Sequence, residues 1–499
     1  MKPVTTTAPT ANTKASKIFA MFLCAALIIS ALLSSCANDR ATDSADISET
    51  VEETTDLRSL YPSPPVKDFG GYVFRIYSDQ NKVFNQTEYF AEEQTGDLIN
   101  DVIYLRNRTI EDRYNIDITF TEDSNIVNTV KSCVMAGDDF ADIFSVNSTA
   151  DYFTFGRQRY LYDLNKLSSL DLDQPWYDQR IRTDYAVYGK LFVINGDFTI
   201  REDLREMSVT YNKKLYEENN FENPYDLVIN GLWTFARMAE MAKVVTKDLN
   251  GDGKLDRHDQ WGLMTEVIAG WYLYLASGNK TIKFDGTNYY VDIGSERMFD
   301  IFDKILPFLG DKSMCICMDD GSVQTDLGSV WLEATRMYVN NQALFRTGTF
   351  GDTVDLRNME TDFGVLPIPM FDENQKEYYC MVHSDCHPKS IPITVEDAER
   401  TALIFEALSY ESMFTLRPAF YETFLDEKIL RDKESTKMID ILFESKVYDL
   451  DYVNSITGLN TIVNTIVQTG KGDLASKIAS IQQSAQKKLD KFMGYYIDG

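Results

Sequence analysis

Histidine is nearly missing from this chain: three residues in 499, His258, His383 and His387. A Ser-His-Asp arrangement could be built only around one of them, and none stands in a supporting motif. The sequence has no G-x-x-x-x-G-K-[ST] loop to cradle phosphates, no G-x-S-x-G elbow and no H-E-x-x-H pair. Basic residues are scarce as well, with 49 Lys and Arg against 77 Asp and Glu, a formal net charge of −28. Nucleic-acid binding relies on neutralising phosphates with Lys and Arg, so no nucleic-acid partner is expected. The uncharged run Ile18–Leu33 holds 16 residues, short of the ~20 that cross a bilayer.

That run instead reads as an export signal. Lys2, Lys14 and Lys17 precede it, and it ends in Leu33-Ser34-Ser35-Cys36. A basic start, a short apolar stretch and small residues before a processing point describe a signal peptide. The ending looks like a bacterial lipobox. The expectation is that residues 1–35 are removed and Cys36 carries a lipid, which places the protein outside the cytoplasm, anchored to the membrane. Without the three lysines the net charge becomes −31. Residues 36–68 are acidic, rich in Ser and Thr and poor in bulky apolar residues, the composition of a disordered tether. Five cysteines remain: Cys133, Cys315, Cys317, Cys380 and Cys386. An odd number cannot all pair within one chain. Cys380-Met-Val-His383-Ser-Asp-Cys386-His387 matches no common zinc spacing well, which leaves a local disulfide or inert thiols.

The body is 44% hydrophobic and 25% charged, suited to a large globular protein of two or more lobes. Periodicity predicts a strand over Tyr72–Ser78, a helix over Asp97–Asn115 and a strand over Ile116–Glu122. A helix ending at Gly137 and a strand over Ala141–Asn147 follow. That alternation implies parallel strands with helical crossovers. Further strands are expected over Gly189–Phe198, Asn341–Phe350 and Asp362–Met370. Helices are expected after Trp233 with Thr234 as N-cap, after Thr394 and Asp397 in capping-box spacing, and over a C-terminal stripe of Leu474, Ile478, Ile481, Leu489 and Phe492. No internal repeat is visible, which argues against an adhesion or scaffold array.

One motif stands out. Asp248-Leu-Asn-Gly-Asp-Gly-Lys-Leu-Asp-Arg-His-Asp259 places oxygen-bearing side chains at loop positions 1, 3, 5, 9 and 12, with Gly253 at position 6. That is the layout of a calcium loop, with Asp248, Asn250, Asp252, Asp256, Asp259 and the position-7 residue Lys254 as ligands. Position 12 is Asp rather than Glu, which shortens its reach. No second loop or second long helix follows, so the expected Ca2+ is a structural staple. Aromatics are plentiful, at 5 Trp, 28 Tyr and 29 Phe. Aromatic faces beside Asp and Asn side chains suit sugars, because rings pack on pyranose C–H faces while carboxylates and amides bind hydroxyls.

Taken in order, several blocks resemble the extracellular solute-binding lipoproteins of bacterial ABC uptake systems, in their carbohydrate-binding branch. The longest is "YNKKLYEENNFENPYDLVINGLWTFARMAEMAKVVTKDLNGDGKLDRHDQWGL", Tyr211–Leu263; "ADIF" after "MAGDD", "GKLFVINGD" and "DFGVLPIP" accompany it. The resemblance implies an α/β, two-lobed periplasmic-binding-protein-like fold of type II, with hinge-connected lobes and a central ligand cleft. Its first lobe would span 69–197 with about 372–420 returning to it. Its second would span 198–371 with a helical part from about 421 to 499. It further implies a monomer that binds a carbohydrate and passes it to separate ABC permease subunits, without catalysis. Carried over by position, the implied ligand residues are Asn147, Trp176, Asp197, Trp271 and Phe350. The cysteines at 315, 317, 380 and 386 have no counterpart in that pattern. The alternative is a secreted carbohydrate-active enzyme. The 77 acidic residues offer many pairs, and spacing along the chain does not report the ~5–10 Å separation such chemistry needs.

Overall fold

A computed structural model describes residues 57–79, 88–426 and 433–497. The lipobox cysteine, Cys36, the signal and most of the tether lie outside the described residues. Met1–Pro64 and Pro65–Gly499 are separate units; in the first, Leu57–Leu60 forms one 3-10 turn.

The second unit begins with the alternation read from the sequence. β1 (Tyr72–Ser78) leads to helix α1 (Leu98–Tyr114), β2 (Ile116–Glu122), helix α2 (Ile126–Ala136) and β3 (Ile143–Ser145). The three strands are parallel in the order β2-β1-β3. Local chemistry sets the helix ends. The Asp97 side chain accepts from the Asn100 N–H at 2.8 Å, and Asn115 leaves α1 in the left-handed region at φ 49°. The Gly189–Phe198 segment pairs only through isolated bridges, Lys190 with Val187, Ile194 with Lys389 and Gly196 with Tyr177. Its neighbours are connecting segments rather than a regular strand.

The remaining strands are β4 (Met207–Asn212), β5 (Trp261–Thr265), β6 (Ile282–Phe284), β7 (Tyr289–Val291), β8 (Cys315–Cys317), β9 (Ala343–Thr349), β10 (Phe363–Pro367), β11 (Cys380–Met381) and β12 (Lys446–Val447). A five-stranded mixed sheet runs β10-β4-β9-β5-β8. β8, β5 and β9 are mutually parallel neighbours, and β4 opposes β9 and β10. Helix α3 (Phe235–Val245) packs on β5 so closely that a Cβ at Gly262 would lie 1.9 Å from the Ala242 carbonyl oxygen. Thr234 caps α3 as expected, accepting from the Arg237 N–H at 3.3 Å. Helix α4 (Ala269–Ala276) follows β5, and helix α5 (Val330–Val339) lies between β8 and β9 in the chain.

Two chain segments join the sheets, running side by side. Ile194 bridges Lys389 at one end and Glu206 bridges Val382 at the other, just before β4 begins. A third segment joins them where β12 pairs with β11. After this crossing the chain returns to the first sheet. Helix α6 (Ala398–Phe414) packs along α1, and Thr401 Oγ1 donates to Asp142 beside β3 at 2.9 Å. Its N-cap is Asp397, which accepts from the Arg400 N–H at 3.0 Å; the expected start at Thr394 falls one turn short of the helix. Helix α7 (Leu474–Ile497) touches both halves. Gln482 donates to the Ile293 carbonyl, and Tyr496 donates to that of Phe153 at 3.1 Å.

Candidate functional site

The crossing segments carry an unusual load of buried charge. Asp203 is 1% exposed and accepts from Lys446 Nζ at 2.5 Å and from Arg417 at 2.8 Å. Arg417 also reaches Asp197 at 3.3 Å. Lys389 Nζ lies 4.0 Å from Glu202 and donates to Thr199. Burial works against every ionised carboxyl here. It pushes the Glu202 and Glu206 carboxyls up, against the attraction of Lys389 and Lys446. For Asp203 the two cations win, and its carboxyl is held below the ordinary range despite burial.

From this knot, polar side chains extend to the carboxyl ends of the parallel strands β5, β8 and β9, where ligands bind in open α/β sheets. Arg205 Nε donates to Asp385 Oδ1 at 2.6 Å, and His383 Nδ1 lies 2.6 Å from the same oxygen. Burial raises the Asp385 carboxyl, but the His383 hydrogen bond and the Arg205 charge outweigh it and hold it well below the usual carboxylate range. Arg205 also donates to Thr349 Oγ1 at 3.4 Å, at the end of β9. The His383 ring meets Tyr452 edge-on, centroids 6.0 Å apart. Around the ends of β4 and β9, Ser208, Thr210, Arg346, Thr349 and Asp352 line a small hollow. Arg346 donates to Thr335 Oγ1 of α5 at 3.4 Å. Asp319, after β8, accepts from the Val267 N–H at 2.7 Å. Glu266, after β5, is half-buried and faces Asp352, Asp319, Arg205 and Arg346.

Five residues were implied as ligand contacts, and the structure separates them. Asn147 is half-buried beyond β3, its amide oxygen 3.2 Å from His387 Nε2 and its N–H donating to Asp79 at 2.5 Å. Asp197 sits at the crossing, paired with Arg417, and burial raises its carboxyl to about 6. Trp176, Trp271 and Phe350 are core residues. Trp176 is 1% exposed and packs edge-on to Tyr410; Trp271 and Phe350 are fully buried, against Tyr274 and Phe443. None of these three rings shows solvent a face on which a sugar could stack. The tryptophan that does is Trp331, 47% exposed on the first turn of α5, one turn before the Thr335 that holds Arg346. Trp233 and Trp261 are buried like the other two.

The Asp-rich loop lies apart from this cleft, closed by a bridge between Lys247 and Gln260. Asp248 accepts from the N–H groups of Gly251 and Gly253 at 2.6 and 2.9 Å, and Asp259 from those of Leu249 and Asp256 at 2.9 and 2.8 Å. Asn250, Asp252 and Asp256 each accept from the backbone two residues on. Gly253 takes φ +78°, the conformation position 6 requires. The donor types suit a hard cation. Their oxygens are turned to the loop's own amides, and among the described residues no three His, Cys, Asp or Glu side chains are gathered as a metal site. The five body cysteines are free thiols, so the local disulfide considered for them is not formed.

Compared as a sequence, the chain matches no family model and no curated protein. Its structure is similar to that of an ABC substrate-binding protein from Listeria monocytogenes in complex with cycloalternan. The identity is 14% and the TM-score 0.53, with 85% of this chain and 99% of that one covered. It is also similar to a cyclo/maltodextrin-binding protein complexed with maltotetraose, at 13% identity and TM-score 0.52, covering 85% and 97%. Across almost the full length of both, this chain has the α/β, periplasmic-binding-protein-like fold of the ABC substrate-binding proteins.

Proposed function

We propose that this protein captures a sugar or oligosaccharide outside the cytoplasmic membrane and delivers it, unchanged, to an ABC import permease. The observation that carries this reading is the polar array at the carboxyl ends of β5, β8 and β9, set directly against the two crossing segments. Arg205, His383, Asp385 and Tyr452 form one wall; Glu266, Asp319, Arg346 and Asp352 form the other. The first sheet with α6 makes one lobe and the mixed sheet the other, and the crossing segments are the hinge about which they close. Trp331 supplies the apolar face for a pyranose ring, and the carboxylates and guanidinium groups meet its hydroxyls. Cys36 is the lipid attachment point, and the Asp-rich loop takes Ca2+ as a brace for the second lobe.

Calorimetry with neutral glycans, including maltotetraose and cycloalternan, tests the reading. Saturable heat with the glycan recovered intact supports it, whereas new reducing ends would make the protein an enzyme. Trp331→Ala is expected to weaken binding roughly tenfold. Stacking covers roughly 60 Å² of apolar area at about 25 cal/mol per Å², or about 1.5 kcal/mol. Thermal stability should be unchanged, because the ring is exposed.

A further inference from the structure

Glu266 differs from every other acid of the cleft. Asp385 is held by Arg205 and His383, Asp352 accepts from the Thr349 N–H at 3.0 Å, and Asp319 accepts from Val267. Among the described residues the Glu266 carboxyl accepts no hydrogen bond and forms no ion pair, although it is half-buried at the end of β5. Its charged neighbours come from every side of the cleft. Asp319 follows β8, Asp352 follows β9, Arg346 lies in β9 and Arg205 in the crossing segment. The hydroxyls of Tyr272 on α4 and of Tyr452 also feel its charge. The guanidinium groups already serve other partners: Arg205 serves Asp385 and Thr349, and Arg346 serves Thr335.

An ionised carboxyl left without a cation becomes more costly when the cleft closes and water leaves. It can take a proton or receive a cationic ligand. Two further acids beside it, with both arginines engaged, already favour the proton before any ligand arrives. An ionised carboxylate only accepts hydrogen bonds, whereas a protonated one donates. Hydroxyls of a sugar donate and accept, but ring and glycosidic oxygens only accept. The other cleft acids cannot serve those oxygens.

We propose that Glu266 is a specificity-determining residue of the cleft, which in its protonated form donates a hydrogen bond to an ether-type oxygen of a neutral glycan. Capture is then accompanied by proton uptake. This rests on the sugar-binding reading above. Burial, joined by Asp352 and Asp319, pushes the carboxyl up to about 8 against the pull of Arg205 and Arg346. A raised acid binds more protons folded than unfolded. Its contribution to stability is therefore full below the unfolded value near 4.5 and is lost as pH rises through about 8.

Two measurements test this. Thermal unfolding of the wild type and of Glu266→Gln between pH 4.5 and 9 needs no ligand. The variant should gain on the wild type progressively as pH rises, with the difference levelling off above about pH 8. A pH-independent difference overturns the proposal, because a merely structural role would produce one. Calorimetry with maltotetraose at pH 8.5, in buffers of differing ionisation heat, should show uptake of up to one proton, absent in Glu266→Gln. Binding without proton uptake, or tighter binding of a glucosamine oligomer than of its neutral counterpart, also overturns it. If no glycan binds at any pH, the sugar reading fails and the proposal built on it falls, even where the unfolding series still shows the titrating carboxyl.

Discussion

Lys446→Met isolates the buried charge knot of the hinge. Lys446 is 6% exposed and Asp203 1%, and the substitution keeps most of the stem while removing the ammonium. Asp203 then retains Arg417 alone, which it shares with Asp197. Breaking a buried pair by deleting one partner costs about 3–5 kcal/mol. An unfolding entropy of roughly 2.1 cal/mol/K per residue over Pro65–Gly499 amounts to about 0.9 kcal/mol/K, so the expected fall in Tm is about 3–5 °C at pH 7. The sign of the pH dependence follows from Asp203. Its carboxyl is depressed in the folded state, so its contribution is present above the unfolded value near 3.9 and fades as pH falls through the folded one. The gap between wild type and variant should narrow below about pH 4. Adding Asp203→Asn to Lys446→Met should recover part of the loss, because the Asp203 carboxylate is then no longer left short of its closest partner. Calorimetric unfolding measures all three. A single-variant loss below about 1 °C, or a double variant no better than the single, would show that the knot is hydrated and not the tightly buried pairing described here.

Trp271→Ala should cost about 3–5 kcal/mol of stability through the cavity it leaves; a shift in glycan affinity with unchanged Tm would instead place its ring in the cleft. Millimolar Ca2+ should raise Tm and chelation should reverse it, with both effects absent in Asp248→Ala. A wild type indifferent to Ca2+ would mean that the Asp-rich loop is held by its own backbone hydrogen bonds alone.

The elements that repeat one local signal were legible in the sequence. β1 and β2 span the residues that alternation picks out, and Asp97, Gly137 and Thr234 punctuate helices as their chemistry dictates. Aromatic platforms were not legible from tryptophan alone. Trp271 lies in a helix whose eight residues are all buried, from Ala269 to Ala276, and a helix apolar on every face belongs to a core. Trp331 was no easier to read: it stands three and seven positions before Ala334 and Tyr338 of the buried stripe of α5, at the edge of that face, yet it is 47% exposed. Arg205, Glu266, Asp319, Asp385 and Tyr452 had no signal to read, because each is ordinary in its own segment. They meet only through the crossing of chain segments separated by up to 250 positions, and no short-range pattern encodes that meeting.

That same crossing has a consequence for how the protein is made. The strands β1 to β3 are complete by Ser145, yet α6, which covers α1 beside them, begins at Ala398. At roughly 5–20 residues per second, the ribosome needs about 13–50 s to supply the missing cover. For that interval the first three strands and their helices expose apolar surface that nothing yet synthesised can hide. Assembly of the first sheet with its covering helix therefore waits until the far end of the chain has emerged.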